Sequence, residues 1–469
     1  MQLVYTAVMG RLLEPRDFGL VAAAMIGLRF ISYVSRFGLG SAVAQRANLT
    51  SSEAATAFRL SGAIGLLAGG VAVATSPLIS GIIDQPEAAP IMRAFSVALL
   101  AGALGAVPEA LLRRSFRFRA LALGQVASYG LGYLGVGIGL AVAGAGVWSL
   151  VAASVAQSVL LVIITFVLAS PPLRGADRAS TRGLLAFGGS VSLTGFLEFL
   201  GASFDTLMVG RWLSASALGQ YSRASYLIGL PVEQATSAVS RVLLPSLSQV
   251  QHEPTRFGTA VTRASGVLAG VVMVPITMLA VASPAVVRLL LGPGWQAAAE
   301  LLPIVGFAQG FALLTNLPAV AAEARGDVHR KLLIQTASFV IVLGLVASVG
   351  VAGATLHRLA LCWLAAQFAR HALYWIFVIP RLNVRRRTVA VRYASAATLA
   401  VVASAPLYLV IRVMDASDPG ALIFSGVAGV LLGSVAVAAG LAGPLRADVL
   451  SLVRNARRSA GPAVVSSAA

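Results

Sequence analysis

Apolar runs long enough to cross a bilayer recur from one end of this chain to the other, and nothing else in it constrains the fold as hard. About 20 consecutive apolar residues are needed to span the hydrocarbon core as a helix. Such runs are read at about 18–41, 60–83, 90–112, 120–143, 147–170, 186–209, 218–246, 264–291, 299–322, 332–352, 358–380, 393–413 and 420–442. Residues 1–10 (MQLVYTAVMG) add an apolar piece half a span long before Arg11. No cleavable signal pattern follows it. The expectation is therefore a truncated first helix whose true start lies upstream, and 14 spans in all. The chain is 58% hydrophobic and 11% charged, with a mean hydropathy of +0.87, which no soluble domain matches. Its 47 glycines suit helices that pack closely inside a bilayer. The connections are short, so no sizeable soluble module is expected, and the tail after Gly443 reads as disordered.

The net charge of +18 raises the question of nucleic acid, but its placement answers it. One alternate set of loops holds the clusters Arg113/Arg114/Arg117/Arg119, Arg325/Arg330/Lys331 and Arg385/Arg386/Arg387, and 23 Arg and Lys residues in total. The opposite loops hold five: Arg11, Arg16, Arg93, Arg211 and Arg358. That asymmetry is the positive-inside pattern, and it puts the C-terminus and the missing start of helix 1 in the cytoplasm. No nucleic-acid partner is expected. The single cysteine, Cys362, excludes an intramolecular disulfide.

The chain repeats itself. Met9–Val21 and Val209–Tyr221 align at a constant offset, so that Gly10, Arg11, Leu13 and Gly19 recur as Gly210, Arg211, Leu213 and Gly219. Further on, Ser76-Pro77 ends the third span as Ser283-Pro284 ends the ninth, and Pro108 and Pro318 lie near the cytoplasmic ends of spans four and ten. The unit is six helices, an even number that returns the chain to its starting side. Two six-helix lobes of the same orientation, 1–178 and 179–385, are thus expected, related by a pseudo-two-fold axis along the membrane normal with the substrate path between them. Two additional helices occupy 386–442 and a cytoplasmic tail 443–469. The fold class is an all-α polytopic membrane protein.

Charged groups in hydrocarbon cost roughly 2.5–3.5 kcal/mol each on insertion scales, so helices that carry several line pathways. In span 2, Arg29, Tyr33 and Arg36 share one face. In span 7, Glu198 and Asp205 lie seven apart on one face. In span 8, Arg223, Tyr226, Gln234, Ser237 and Arg241 fall within roughly 60° of one line, with Glu233 beside it and Pro231 interrupting the helix. The first two helices of each repeat carry these stripes, while spans 3–6 and 9–12 read as blander. Guanidinium forks at Arg29, Arg36, Arg223 and Arg241 suit a diphosphate, and Gln234, Ser237 and the tyrosines suit sugar hydroxyls. Glu198, Asp205 or Glu233 supplies a carboxylate that can titrate and couple transport to an ion gradient. The bland readings stand beside these: Asp205 and Arg223 can pair near the outer surface, Arg36 and Arg241 can snorkel to the inner one, and Arg288, Arg370 and His371 read as structural.

The segments Asp205-Thr-Leu-Met-Val-Gly-Arg, Leu218-Gly-Gln-Tyr-Ser-Arg-Ala, Leu230-Pro231 and Val242-Leu-Leu-Pro-Ser-Leu-Ser resemble the polysaccharide-export branch of the MOP flippases, the Wzx-type lipopolysaccharide and exopolysaccharide translocases. Arg11-Leu-Leu-Glu-Pro-Arg-Asp-Phe-Gly-Leu, Phe37-Gly-Leu-Gly-Ser-Ala-Val-Ala-Gln-Arg and Leu291-Gly-Pro-Gly-Trp295 are similar to the same branch, and the likeness covers about residues 5–380. It implies a V-shaped two-lobe transporter in the cytoplasmic (inner) membrane that moves an oligosaccharide linked to polyprenyl diphosphate. The implied partners are that substrate, membrane lipids, and a polysaccharide polymerase with its export machinery. The incomplete first helix departs from the family pattern. A drug exporter of the same superfamily would favour an acidic or apolar pocket, and a membrane polymerase or ligase would need a large outer loop, whereas the longest here is about ten residues.

No cofactor, metal site or catalytic residue is expected. Gly130-Leu-Gly-Tyr-Leu-Gly135 matches a dinucleotide fingerprint but lies within a span with no preceding strand, so small-residue packing that includes Gly135 and Gly139 explains it better. His252-Glu253 lacks the second histidine of a zincin, and the chain holds no P-loop and no nucleophile–base pair.

Overall fold

The computed structural model describes residues 1–35, 39–46, 49–172 and 204–413, and every regular element among them is helical. In chain order these are α1 (Gln2–Leu12), α2 (Pro15–Ser35), α3 (Leu39–Gln45), α4 (Ser51–Ile82), α5 (Ala88–Arg114), α6 (Phe118–Tyr129), a π-helical stretch (Gly130–Gly137), α7 (Ile138–Val142) and α8 (Val147–Ala169). They continue with α9 (204–212), α10 (Ala215–Gln249), α11 (Pro254–Val281), α12 (Ser283–Leu291), α13 (Gln296–Ala324), α14 (Val328–Ala352), α15 (Leu356–Phe377) and α16 (Arg386–Val413). Eight of the described segments are long and apolar enough to cross a membrane, as a multi-pass membrane protein requires. The expected span at 420–442 and most of that at 186–209 lie outside the described residues.

Several helices start well before their apolar windows. α4 begins at Ser51 rather than 60, behind a capping box in which Thr50 accepts from the Glu53 amide and Glu53 reaches back to the Thr50 amide. α11 begins at Pro254, a residue pre-set for a first helical turn. Hydropathy registers only the hydrocarbon core, whereas a helix goes on until its backbone meets a cap.

Prolines also behave differently from the expectation. α10 runs unbroken through Pro231, and Pro77 and Pro108 lie inside α4 and α5. One missing donor does not end a long membrane helix when neighbours can satisfy the freed carbonyl. By contrast, Pro284 sits at the second position of α12, where its missing N–H costs nothing, and the apolar run 264–291 divides there into α11 and α12. The two Ser-Pro pairs therefore match in sequence but not in structural role.

The chain packs as two compact units. The first comprises Met1–Arg223 with Leu290–Ala297 and Ala354–Leu356. Within it α5 is central, packed on α2, α3, α4 and α8, and its buried positions are mostly small: Ala101, Ala103, Gly105, Ala110. The π-helical stretch packs along α8. A methyl group on Gly132 would come within 2.6 Å of the Gln157 backbone nitrogen, and one on Gly137 within 2.8 Å of Ala153 Cβ. Gly139, expected to pack, faces open space, and a methyl on Gly135 would meet only the Gly130 carbonyl of its own helix, at 3.8 Å. The wider π winding joins i to i+5, so it puts 132 and 137 on the packed side and turns the expected pair away.

In the second unit, Ala224–Leu289 with Ala298–Gly353 and His357–Ala469, α16 packs along α11. Phe257 and Val261 of α11, Ala321 of α13, Tyr374 of α15 and Val389 of α16 share one buried core. The helix that lies beyond the sequence repeat is thus an integral part of this unit's core.

The closest backbone approach in the first unit joins the start of the first repeat to the start of the second. A Cβ on Gly19 would lie 1.7 Å from the Ala215 carbonyl oxygen, and a Cβ on Gly219 would lie 1.7 Å from that of Pro15. Positions 15 and 19 meet 215 and 219 reciprocally. We expect Gly19→Ala and Gly219→Ala each to destabilise the protein by at least the ~1–3 kcal/mol typical of overpacking. Gly70→Ala, whose new methyl meets nothing within 4 Å, should be neutral or stabilising. Thermal unfolding of the detergent-solubilised protein measures both.

Candidate functional site

Around the Gly19–Gly219 crossing the two repeats exchange the turns that follow α4 and α12. The turn after α4 reaches α9: Ile83 fills the space left by Gly210, and the Gln85 amide donates to the carbonyl of Leu213 at 3.2 Å and, at longer range, to that of Gly210 at 3.5 Å. The turn after α12 reaches α1 in the same manner. Leu291 fills the space left by Gly10, and the Trp295 indole N–H donates to the Gly10 carbonyl at 2.9 Å. The repeated arginines sit on these same turns, Arg211 3.6 Å from the Asp84 carboxylate and Arg11 against Gly292. Trp295 is 2% exposed and meets Phe18 of α2 edge-on at 5.3 Å, and the Gln220 amide donates to the Gly294 carbonyl at 2.7 Å. Leu291-Gly-Pro-Gly-Trp295 is therefore a plug that seats on the first repeat.

Two of the expected site residues come to this junction. Arg223 stacks over the Phe18 ring at 4.6 Å, and the Asp205 carboxylate accepts from the Tyr221 hydroxyl and from Thr206. Arg29 lies about two-thirds of the way along α2 and is exposed, while Leu28 and Ile31 beside it are buried. Its side chain thus leaves the helix on the side away from the core. Tyr33 follows on α2, whereas Arg36 and Glu198 lie outside the described residues. On the part of α10 that belongs to the second unit, Tyr226 and Ser237 are half-buried and Glu233 and Gln234 exposed, with Arg241 two turns beyond Gln234. Leu227 and Ile228 of this helix are buried, so it presents an apolar side to its unit and a polar one away from it.

A feature that the sequence reading passed over is a cavity of about 540 Å³ in the first unit, among α3, α5 and α8. Its α5 wall is one helix face of small residues that ends in Glu109 and Arg113, and its α8 wall carries Gln157 and Ser158. Glu109 and Arg113 are paired at 3.0 Å. The signal was present in the sequence: Ala98, Ala101, Gly102, Gly105, Ala106, Glu109 and Ala110 recur at helical spacing. A wall of alanine and glycine at this spacing reads as packing rather than as a site.

In the second unit His371 ties three helices together. Thr315 donates its proton to the Phe311 carbonyl at 2.6 Å, so its oxygen is left to accept from His371 Nδ1 at 3.0 Å, and the imidazole stacks on Tyr393 at 5.7 Å. The expectation of a structural role for His371 agrees with this geometry. No group of three His, Cys, Asp or Glu side chains among the described residues is arranged to hold a metal.

The fold, helical throughout the described residues, is similar to that of the lipid II flippase MurJ in an inward closed conformation, with a TM-score of 0.72 and 11% identity over 92% of this chain and 94% of that one. At that identity the likeness concerns the fold. The chain belongs to the family described as "Polysaccharide biosynthesis protein", which matches residues 8–300. It is 26% identical to the succinoglycan biosynthesis transport protein ExoT of Rhizobium meliloti over 70% of this chain and 67% of the relative. It is 22% identical to the lipopolysaccharide biosynthesis protein WzxC of Escherichia coli over 70% of this chain and 68% of the relative. The resemblance drawn from the sequence motifs is borne out.

Trp295 separates packing from hydrogen bonding at the junction. Trp295→Phe keeps a ring against Phe18 and loses the bond to Gly10, and we expect it to cost about 1 kcal/mol. Trp295→Ala should cost ~3–5 kcal/mol, because it also leaves a cavity. Equal effects of the two variants in thermal unfolding would contradict this assignment.

Proposed function

We propose that the protein is a flippase of the cytoplasmic (inner) membrane, with its C-terminus in the cytoplasm, that moves a polyprenyl-diphosphate-linked oligosaccharide from the inner to the outer leaflet. Two six-helix lobes, 1–178 and 179–385, related by a pseudo-two-fold axis, would alternate access to a path between them. The chain would act without catalysing a reaction on the sugar. Membership of a polysaccharide biosynthesis family and likeness to a succinoglycan transport protein support this reading.

The observation that carries the mechanism is Arg29, a cation inside the apolar helix α2, two turns from its described end, whose side chain leaves on the side away from the core. An ion at that depth costs several kcal/mol unless it meets water or an anion. A diphosphate is an anion suited to a guanidinium fork, and Arg36, Arg223 and Arg241 are proposed to follow it along the path. Tyr33, Tyr226, Gln234 and Ser237 would meet sugar hydroxyls. Of the proposed coupling carboxylates, Asp205 is engaged by Tyr221, while exposed Glu233 stays open to exchange with ions. The outer junction would part when the path opens outward. Polymerase and export machinery are the proposed recipients of the flipped unit.

Replacing Arg29 and Arg241 together by alanine should abolish surface polysaccharide while protein level and thermal stability stay unchanged. Lysine at both positions should restore part of the export, because it keeps the charge and loses the fork. Normal export by the double alanine variant would overturn the cationic path.

A further inference from the structure

We propose that the cavity among α3, α5 and α8 is a saccharide subsite, separate from the arginines assigned to the diphosphate. This inference rests on the flippase reading and adds a place for the sugar end of the substrate. Its chemistry comes from four side chains.

Glu109 and Arg113 lie one helical turn apart on α5 and are paired at 3.0 Å, with Glu109 mostly buried and Arg113 more than half exposed. The pair carries no net charge, so it offers a phosphate little attraction. It nevertheless keeps a free carboxylate oxygen as an acceptor and further guanidinium N–H groups as donors. Across the cavity, the Gln157 amide makes no hydrogen bond among the described residues, and it supplies both a donor and an acceptor. Ser158 gives its proton to the Ser154 carbonyl at 2.8 Å, which leaves its oxygen to accept. Donors and acceptors are therefore mixed, and the site is electrically neutral. A sugar hydroxyl, which donates and accepts at once, is the ligand group that such an inventory matches.

Shape agrees with this. The volume of about 540 Å³ falls within the roughly 300–1,000 Å³ range of small-molecule sites. Space comes from missing side chains: a Cβ on Gly102 would meet nothing within 4 Å. Leu161 and Val162 give an aliphatic patch for the C–H faces of a ring. The wall that carries Gln157 is held by the π-helical stretch, where only a glycine at 132 lets the backbones approach, and single π turns inside helices concentrate at functional sites. Glu109 and Arg113 belong to the last turns of α5, next to the arginine-rich loop proposed to face the cytoplasm. That is the side on which a lipid-linked oligosaccharide would load.

Gly102→Cys in a Cys362→Ser background puts a reporter thiol in the cavity. Oligosaccharide released by mild acid from the host's own surface polysaccharide should slow maleimide labelling of that thiol severalfold, and inorganic pyrophosphate should not. Adding Gln157→Leu should raise the saccharide concentration needed for protection about tenfold, the size of one lost polar contact. Protection by pyrophosphate as strong as that by saccharide would assign the cavity to a phosphate or lipid headgroup and overturn the proposal. Absence of saccharide protection would overturn it as well. In a parallel transport measurement, Gly102→Leu should lower translocation of the oligosaccharide-bearing lipid about tenfold and that of a lipid diphosphate bearing one sugar by less than twofold. Equal loss on both, or loss on neither, would count against a subsite for distal sugars. Failure of the flippase reading looks different: wild-type protein would then move neither lipid, whatever the thiol reports.

Discussion

The approach of two backbones at Gly19 and Gly219 is the constraint on which the rest of the first unit depends. Each glycine lies where a single methyl group would strike a carbonyl oxygen of the other repeat. Contact at that range fixes where α2 and α10 begin relative to each other. The turns after α4 and α12 then have set places to land, Ile83 and Gln85 on the end of α9, and Leu291 and Trp295 on the end of α1. Helices in a bilayer gain little from burying apolar surface against one another, since lipid is equally apolar. Close backbone packing and a few directed hydrogen bonds are what remain to hold such a junction, and both are present here.

In the proposed cycle this junction has to part. It combines buried apolar side chains, Trp295, Ile83 and Leu218 among them, with directed hydrogen bonds, while the polar pair Arg211 and Asp84 stays exposed. Water can replace the partners of these groups when the junction opens, which a dry interface would not allow. The proposed transport cycle needs that property at its outer end. In the proposed cycle the neutral cavity and the cationic stripe would divide the substrate between them, sugar with Glu109, Arg113 and Gln157, phosphate with Arg29, Arg36, Arg223 and Arg241.

Much of this was legible in the sequence, and the limits have physical causes. The offset that pairs Gly10 with Gly210 and Gly19 with Gly219 was readable as a repeat, but not as a set of mutual contacts, because identity between two positions says nothing about their distance. The expected interruption at Pro231 was wrong in kind, since a long membrane helix tolerates a missing donor that would end a short one. Gly135 and Gly139 form a packing pair only on α-helical spacing, and the π winding puts Gly132 and Gly137 on the packed side instead. The cavity was missed because its walls consist of what is absent, alanine and glycine in place of larger side chains. Arg29, by contrast, was marked by its type and depth alone, and the structure puts it on the exposed side of α2.

The central claim is that the junction around Gly19 and Gly219 closes and parts during each proposed transport event, and Asp84 and Arg211 allow a direct measurement. Their side chains approach to 3.6 Å across the junction. In a Cys362→Ser background, Asp84→Cys and Arg211→Cys can be bridged by a short reversible thiol cross-linker and the protein assayed in vesicles that contain lipid-linked oligosaccharide. The account predicts that translocation falls to the level of protein-free vesicles when the bridge is complete and returns on reduction. Translocation at the full rate with the bridge intact would contradict it.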